Sequence, residues 1–228
     1  MRTFDYAKLA GLFDYPDAHY IDRVKSVRDD IATRCPEAAR SLDQVLELLP
    51  RNDLRALQEL HTRSFDVQAL TTLDLGYVLF GDDYKRGELL SNLMREHRLA
   101  NNDCHTELGD HLPNVIRLLP LLTDAEVVEE LVQEIIVPAL RKMIGEFDPA
   151  RLEKKDEMYH KHYKTVIEAN FESRLAFRGT LEALYAVLGT DFVLVATPLL
   201  TQTADFLASI GTEMKIENDN ELAQPAAE

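Results

Sequence analysis

Apolar positions recur along this chain at helical rather than strand spacing. Tyr20, Val24, Val27 and Ile31 stand at i, i+4, i+7 and i+11, while Arg23, Lys25, Arg28 and Asp29 fill the other faces. That is the single buried stripe of an amphipathic helix. Phe4, Ala7, Leu9, Leu12 and Phe13 mark a shorter first helix that stops before Tyr15-Pro16. Pro36 suits a first helical turn, and Ala39, Leu42, Val45, Leu46 and Leu49 carry the next stripe to Pro50. Asn52 or Asp53 can cap a helix bearing Leu54, Leu57, Leu60 and Phe65, because a short polar side chain there accepts from an orphan amide of the first turn.

The pattern weakens over residues 66–83, where a short helix ending at Gly81 is expected, glycine being the common residue just past a helix end. From Tyr84 to Leu99, Leu89, Leu90, Leu93 and Met94 oppose Lys85, Arg86, Arg95 and Arg98, and Asn101-Asn102-Asp103 breaks the run. Residues 112–122 are apolar on one side, and Thr123-Asp124-Ala125-Glu126 reads as a capping box with Thr123 at the N-cap. Pro138 should kink the helix that follows, since it removes one backbone bond. After Pro149 the pattern predicts one or two long helices to about Leu188, then a last one over about 197–210. No stretch alternates like a strand. The reading is an all-α, single-domain helical bundle of about eight to ten helices, spanning residues 1–212 and followed by an acidic tail over 213–228.

Composition narrows the partners. Forty Asp and Glu against 25 Lys and Arg give a net charge of −15 over 228 residues. Such a surface repels phosphate backbones and anionic lipid, which excludes nucleic acid and membrane-surface docking as functions. No apolar run approaches the ~18 residues needed to span a bilayer, and the start lacks a signal-peptide core, so no stable membrane insertion is expected. Cys35 and Cys104 read as two reduced thiols of a cytoplasmic protein. The tail holds five acids and one lysine, which leaves a body of about −11.

Chemistry-bearing motifs are sparse. Asp103-Cys104-His105, Glu107, Asp110 and His111 form the densest donor cluster, but it has neither a Cys-x-x-Cys pair nor a His-Glu-x-x-His. A helical metal-dependent enzyme built on Asp103–His111 is therefore an alternative reading rather than the first. His160 and His162 are two apart, which places them about 200° from each other on a helix. No phosphate-binding glycine loop and no nucleophile elbow occurs, so no cofactor and no catalytic residue is assigned. A dimeric scaffold pairing through the apolar stretch 192–200 is a third reading, and the chain is expected as a monomer or a dimer. What stands out instead is a set of polar and aromatic groups near helix ends: Thr62-Arg-Ser-Phe-Asp66, Tyr84-Lys-Arg-Gly87 and Glu107-Leu-Gly-Asp-His-Leu-Pro113. Asp110 is placed to cap the following helix, with His111 and Pro113 in its first turn.

Those blocks, in this order and at these separations, resemble the NarJ-like branch of the TorD/DmsD family of molybdoenzyme assembly chaperones. Thr62, Phe65 and Asp66 match one block; Gly81-Asp82 with Lys85-Arg86-Gly87 match a second; Glu107, Asp110, His111, Leu112 and Pro113 match a third. The opening Tyr6-Ala-Lys-Leu-Ala-Gly-Leu-Phe-Asp-Tyr-Pro16 looks like the family's first helix, and the likeness covers roughly residues 4–145. The resemblance implies a TorD-like, all-helical chaperone without catalytic activity. Its partner would be the apo catalytic (molybdenum) subunit of a respiratory reductase or dehydrogenase, held by its N-terminal or twin-arginine-like segment while the molybdenum cofactor is inserted. Nitrate reductase is one such client. The stretch 151–191 is longer and more charged than in nitrate reductase chaperones, which keeps perchlorate, selenate, dimethyl sulfide and hydrocarbon dehydrogenase systems open as well. In this reading Asp66 and Asp110 meet client arginines or amides, His111 orients Asp110 or bonds the peptide, Phe65 and Tyr84 line the groove, Arg86 positions the loop, and Glu107 and Pro113 complete the motif.

Overall fold

A computed structural model describes residues 4–67, 69–148, 151 and 175–194. Helices dominate them: α1 (Tyr6–Ala10), α2 (Tyr20–Ile31), α3 (Pro36–Leu48), α4 (Leu54–Phe65), α5 (Leu75–Phe80), α6 (Tyr84–Leu99), α7 (Leu112–Leu118), α8 (Ala125–Glu130), a π-helical segment (Leu131–Ile136), α9 (Val137–Glu146) and α10 (Ala176–Asp191). The all-α, single-domain bundle of eight to ten helices is what these residues form. The stripe read on α2 is the buried one: Tyr20, Val24, Val27 and Ile31 all face inward. Helix α4 starts where Asp53 caps it, its side chain accepting from the Ala56 amide at 3.0 Å.

The centre is α10. Apolar residues lie almost all round it, and Ala176, Phe177, Leu181, Ala183, Leu184, Val187 and Leu188 are each fully enclosed. A helix of that composition belongs in a core rather than on a surface. It packs chiefly on α3, then on α9. Gly179 permits the approach: a Cβ there would sit 2.6 Å from Val45 Cγ2 and 3.1 Å from the Ser41 carbonyl. Phe177 closes an aromatic group, its ring centroid 5.2 Å from Phe65, 5.3 Å from His61 and 6.3 Å from Tyr20. The Tyr20 hydroxyl donates to the Leu12 carbonyl at 2.6 Å, which ties the end of the first helical segment to the same core. Burial holds that phenol well above its usual range.

Three local expectations change. Helix α8 is capped by Asp124, not Thr123: the Asp124 side chain accepts from the Glu126 amide at 2.9 Å, so the cap lies one residue later than the capping box places it. The interruption at Pro138 takes the form of a π-helical segment just before it. Proline cannot supply the amide for the Glu134 carbonyl, and a wider turn is one way for a helix to absorb that. Asp110 does not cap α7, whose N-cap is His111 with no side-chain bond to the helix. Cys35 and Cys104 are both free and buried. No helix among the described residues is long and apolar enough to cross a membrane. Most of 151–191, the final helix at 197–210, His160, His162 and the acidic tail lie outside the described residues.

Candidate functional site

Two loops build the site, residues 66–67 and 69–74 after α4 and residues 100–111 after α6. They meet as a short antiparallel bridge between Asp74 and His111. The Leu75 amide donates to the Asp110 carbonyl at 3.0 Å and the Leu112 amide to the Leu73 carbonyl at 2.8 Å. The N-termini of α5 and α7 are thereby fixed side by side.

Charge locks the junction. Asp110 is 0% exposed, and its Oδ2 accepts from the Gly76 amide at 3.1 Å and from Arg86 Nε at 3.4 Å. It therefore caps α5 from across the junction, serving one of the orphan amides of that helix start. Gly76 makes room for the carboxylate, because a Cβ there would lie 2.7 Å from Oδ2. The other oxygen, Oδ1, is buried without a partner. Burial, with the Asp74 charge nearby, pushes the Asp110 carboxyl above the usual range, against the pull of Arg86. Arg86 also donates to Asp74 Oδ2 at 3.1 Å and lies over the Tyr77 ring, 5.2 Å from its centroid. Asp74 Oδ1 pairs with His111 Nδ1 at 3.0 Å. Burial pulls the Asp74 carboxyl upward, but His111 and Arg86 outweigh it and hold it below the usual range.

A polar net holds the longer loop. His97 is 1% exposed and sits 2.9 Å from the Gly109 carbonyl through Nε2 and 2.9 Å from Asn102 Nδ2 through Nδ1. The same Asn102 amide donates to the Asn114 carbonyl at 3.0 Å. Nδ1 is therefore the acceptor and Nε2 carries the proton, which fixes a neutral ring. Burial lowers its proton affinity in the same sense. Asn114 in turn donates to the carbonyls of Cys104 and Leu108.

In front of the junction lies a cleft of about 350 Å³. Phe13, Tyr15 and Phe65 give it aromatic walls, and Asp66, Asp74, Glu107 and His111 supply polar ones. Tyr15 stacks edge-on to His61, which sits between it and Phe65. Arg117 reaches both oxygens of Asp14 at 2.6 Å, so that cation is neutralised within the wall. Asp66 and Glu107 are exposed and make no side-chain ion pair among the described residues.

The sequence-derived residues thus separate. Phe65, Asp66, Glu107, His111 and Pro113 share the cleft. Arg86 and Asp110 stand behind it, and enclosure of Asp110 rules out the direct contact with a client expected of it. His111 pairs with Asp74, not Asp110. Tyr84 is 79% exposed and lines no part of the cleft. Asp74, Gly76 and His61 were not singled out by motif, and Tyr15 entered only within the opening stretch that ends at Pro16. An aspartate directly before the apolar run of α5 signals a cap, which is the one hint to Asp74; its pairing with a residue 37 positions away leaves no local trace. Asp103–His111 holds no metal-binding set, since no group of three or more His, Cys, Asp or Glu side chains converges among the described residues. His105 pairs locally with Asp103 at 3.3 Å instead. Of the apolar stretch 192–200, Phe192 and Leu194 pack on the core, Val193 is exposed, and the rest lies outside the described residues.

Neither a comparison with protein-family models nor one with curated proteins gives a match for this chain.

Proposed function

We propose that the chain is a dedicated, cytoplasmic assembly chaperone that holds an arginine-bearing, amphipathic N-terminal segment of an apo molybdoenzyme subunit in the cleft. The client is a nitrate reductase or a related enzyme of the DMSO-reductase family, held until its cofactor is inserted. One observation carries the reading: aromatic walls stand beside two exposed carboxylates, Asp66 and Glu107, that form no ion pair with any cation among the described residues. An apolar face of a short helix fits against the aromatics, as in other helix-in-groove recognition. Its arginines meet the carboxylates, and the surrounding negative charge speeds encounter at low salt. The ordered motif set resembling the TorD/DmsD chaperones supports the same reading.

The test is a titration with the N-terminal peptide of a molybdoenzyme catalytic subunit from the same organism. Phe65→Ala and the pair Asp66→Asn with Glu107→Gln should each weaken binding by about tenfold or more, in line with a loss of at least about 1.4 kcal/mol. Tyr84→Ala should leave it unchanged. Equal affinity in wild type and both cleft variants would overturn the assignment.

A further inference from the structure

We propose that Asp74 and His111 act together as a recognition dyad in this cleft, taking an N–H or cationic group of the bound segment, and that protonation of His111 expels it. The inference rests on the reading above and adds to it a specificity residue, Asp74, and a control. His111 Nδ1 lies 3.0 Å from Asp74 Oδ1. In the neutral ring that contact requires the proton on Nδ1, which leaves a lone pair on Nε2. Nε2 has no hydrogen bond to the described residues, and the half-buried His111 side chain lines the cleft. The pair is rigidly backed. Asp74 Oδ2 is held by Arg86 at 3.1 Å, and Arg86 is itself fixed on buried Asp110.

The sign of the control follows from the charges around the ring. Behind it, Asp74 and Asp110 offset Arg86. On α4 stands His61, held neutral by burial, and just past the end of that helix the open carboxylate Asp66. On the far wall Arg117 is cancelled by Asp14. On its own loop stand Glu107 and the exposed His105. With His111 neutral the cleft presents a net negative face with an acceptor at its wall. With His111 protonated the acceptor becomes a donor, and a like charge faces the ligand's cation. Imidazole is the side chain that makes this change between about pH 5 and 8.

The experiment measures binding of an amphipathic peptide carrying two arginines to the full chain at pH 7.5 and 5.5. Wild type should bind about tenfold more weakly at the lower pH, a size expected for one charge–charge repulsion across a partly solvated site. His105→Gln should keep that ratio, and His111→Gln should reduce it to within about twofold. Asp74→Asn provides a second arm that does not depend on how well His111→Gln folds. Without the carboxylate the ring loses the partner that fixes its Nδ1 proton, so binding at pH 7.5 should weaken by about tenfold. Binding with the same pH ratio in wild type and His111→Gln, or undiminished binding of Asp74→Asn at pH 7.5, would overturn the dyad and leave the cleft reading standing. Absence of binding at either pH would overturn both, and stronger binding at pH 5.5 would mean the cleft takes an anionic ligand.

Discussion

The contact between α3 and α10 and the junction between residues 70–76 and 105–114 are built on opposite terms. The first is packed mainly from apolar groups, with Gly179 seated on Val45, and Phe177 of α10 carries that packing on to Tyr20 of α2 and to His61 and Phe65 of α4. The second buries Leu70, Leu73, Leu75 and Leu112 as well, but its two loops are locked together by Arg86, two carboxylates, the His111–Asp74 pair and backbone bonds. Apolar contacts tolerate pH and salt but not lost volume. Buried charge tolerates small changes of shape but not the loss of one partner. The cleft lies where these two kinds of construction meet: Phe65 belongs to the aromatic group, His111 to the charged lock. The proposed binding surface would thus be supported on one side by an apolar scaffold and on the other by a network of charges.

The strongest challenge to this contrast is Phe177→Ala. It removes a fully buried ring that three aromatic neighbours touch, and should cost about 4 kcal/mol in urea unfolding. Gly179→Ala should cost about 2 kcal/mol by forcing α10 away from Ser41 and Val45. Both losses should be the same at pH 7.5 and 5.5. A strong pH dependence in either would mean the apolar half is coupled to the lock.

Arg86→Ala attacks the other half, and should cost about 3 kcal/mol because it strands an enclosed carboxylate. Here the penalty should depend on protons. Asp110, already raised by burial, takes one up readily once Arg86 is gone, so the loss should shrink at pH 5. Asp110→Asn in the same chain should restore part of it. A penalty indifferent to both would show that Arg86 acts through its packing on Tyr77 instead.

Wild-type stability should itself fall on acidification. His61 and His97 are held neutral by burial, whereas in the unfolded chain they protonate around the ordinary value of 6.5. Their proton affinity is lower in the fold, so their contribution is complete above pH 6.5 and is lost as pH falls below it. Asp110 works the opposite way in a lower window: its raised carboxyl favours the fold below 3.8 and that contribution is lost as pH rises. His97→Gln should flatten the slope between pH 7.5 and 5.5, read from urea midpoints. An unchanged slope would assign it to His61 alone.

Much of the scaffold was legible in the sequence because helical periodicity reports burial directly. The stripes of α2 and α3, that of α4 apart from the exposed Leu54, and the bounds of α6 emerged from spacing and caps alone. The site was legible only in part. Phe65, Asp66, Glu107 and His111 stood out as polar and aromatic groups at helix ends, and they do share the cleft. What spacing could not tell was which carboxylate each partner would choose. Asp110 looked like a local cap, and it caps a helix 34 residues earlier in the chain. His111 looked like its companion, and it pairs with Asp74. Such choices are settled by the bridge that brings two loops together, and no periodic signal encodes it. Tyr84 carried the same motif signal as its neighbours but starts α6 on the outer face.

The smallest expected effect tests helix ends of the two kinds against each other. Asp124 caps α8 from within its own segment, bonding the Glu126 amide at 2.9 Å in an exposed setting. Asp124→Ala should cost about 1 kcal/mol, the usual worth of a local cap, and Thr123→Ala should cost less than about half of that. Peptide binding should be untouched by either. Asp110→Ala removes one cap as well, that of α5, yet it also frees Arg86 and loosens Asp74 behind His111. Its effect should therefore appear twice, in stability and in the pH profile of binding. If Thr123→Ala proves the costlier of the α8 pair, the capping box is the true start of that helix. If Asp110→Ala lowers stability with the binding profile unmoved, the lock is only a cap, and the link between buried charge and the cleft is absent.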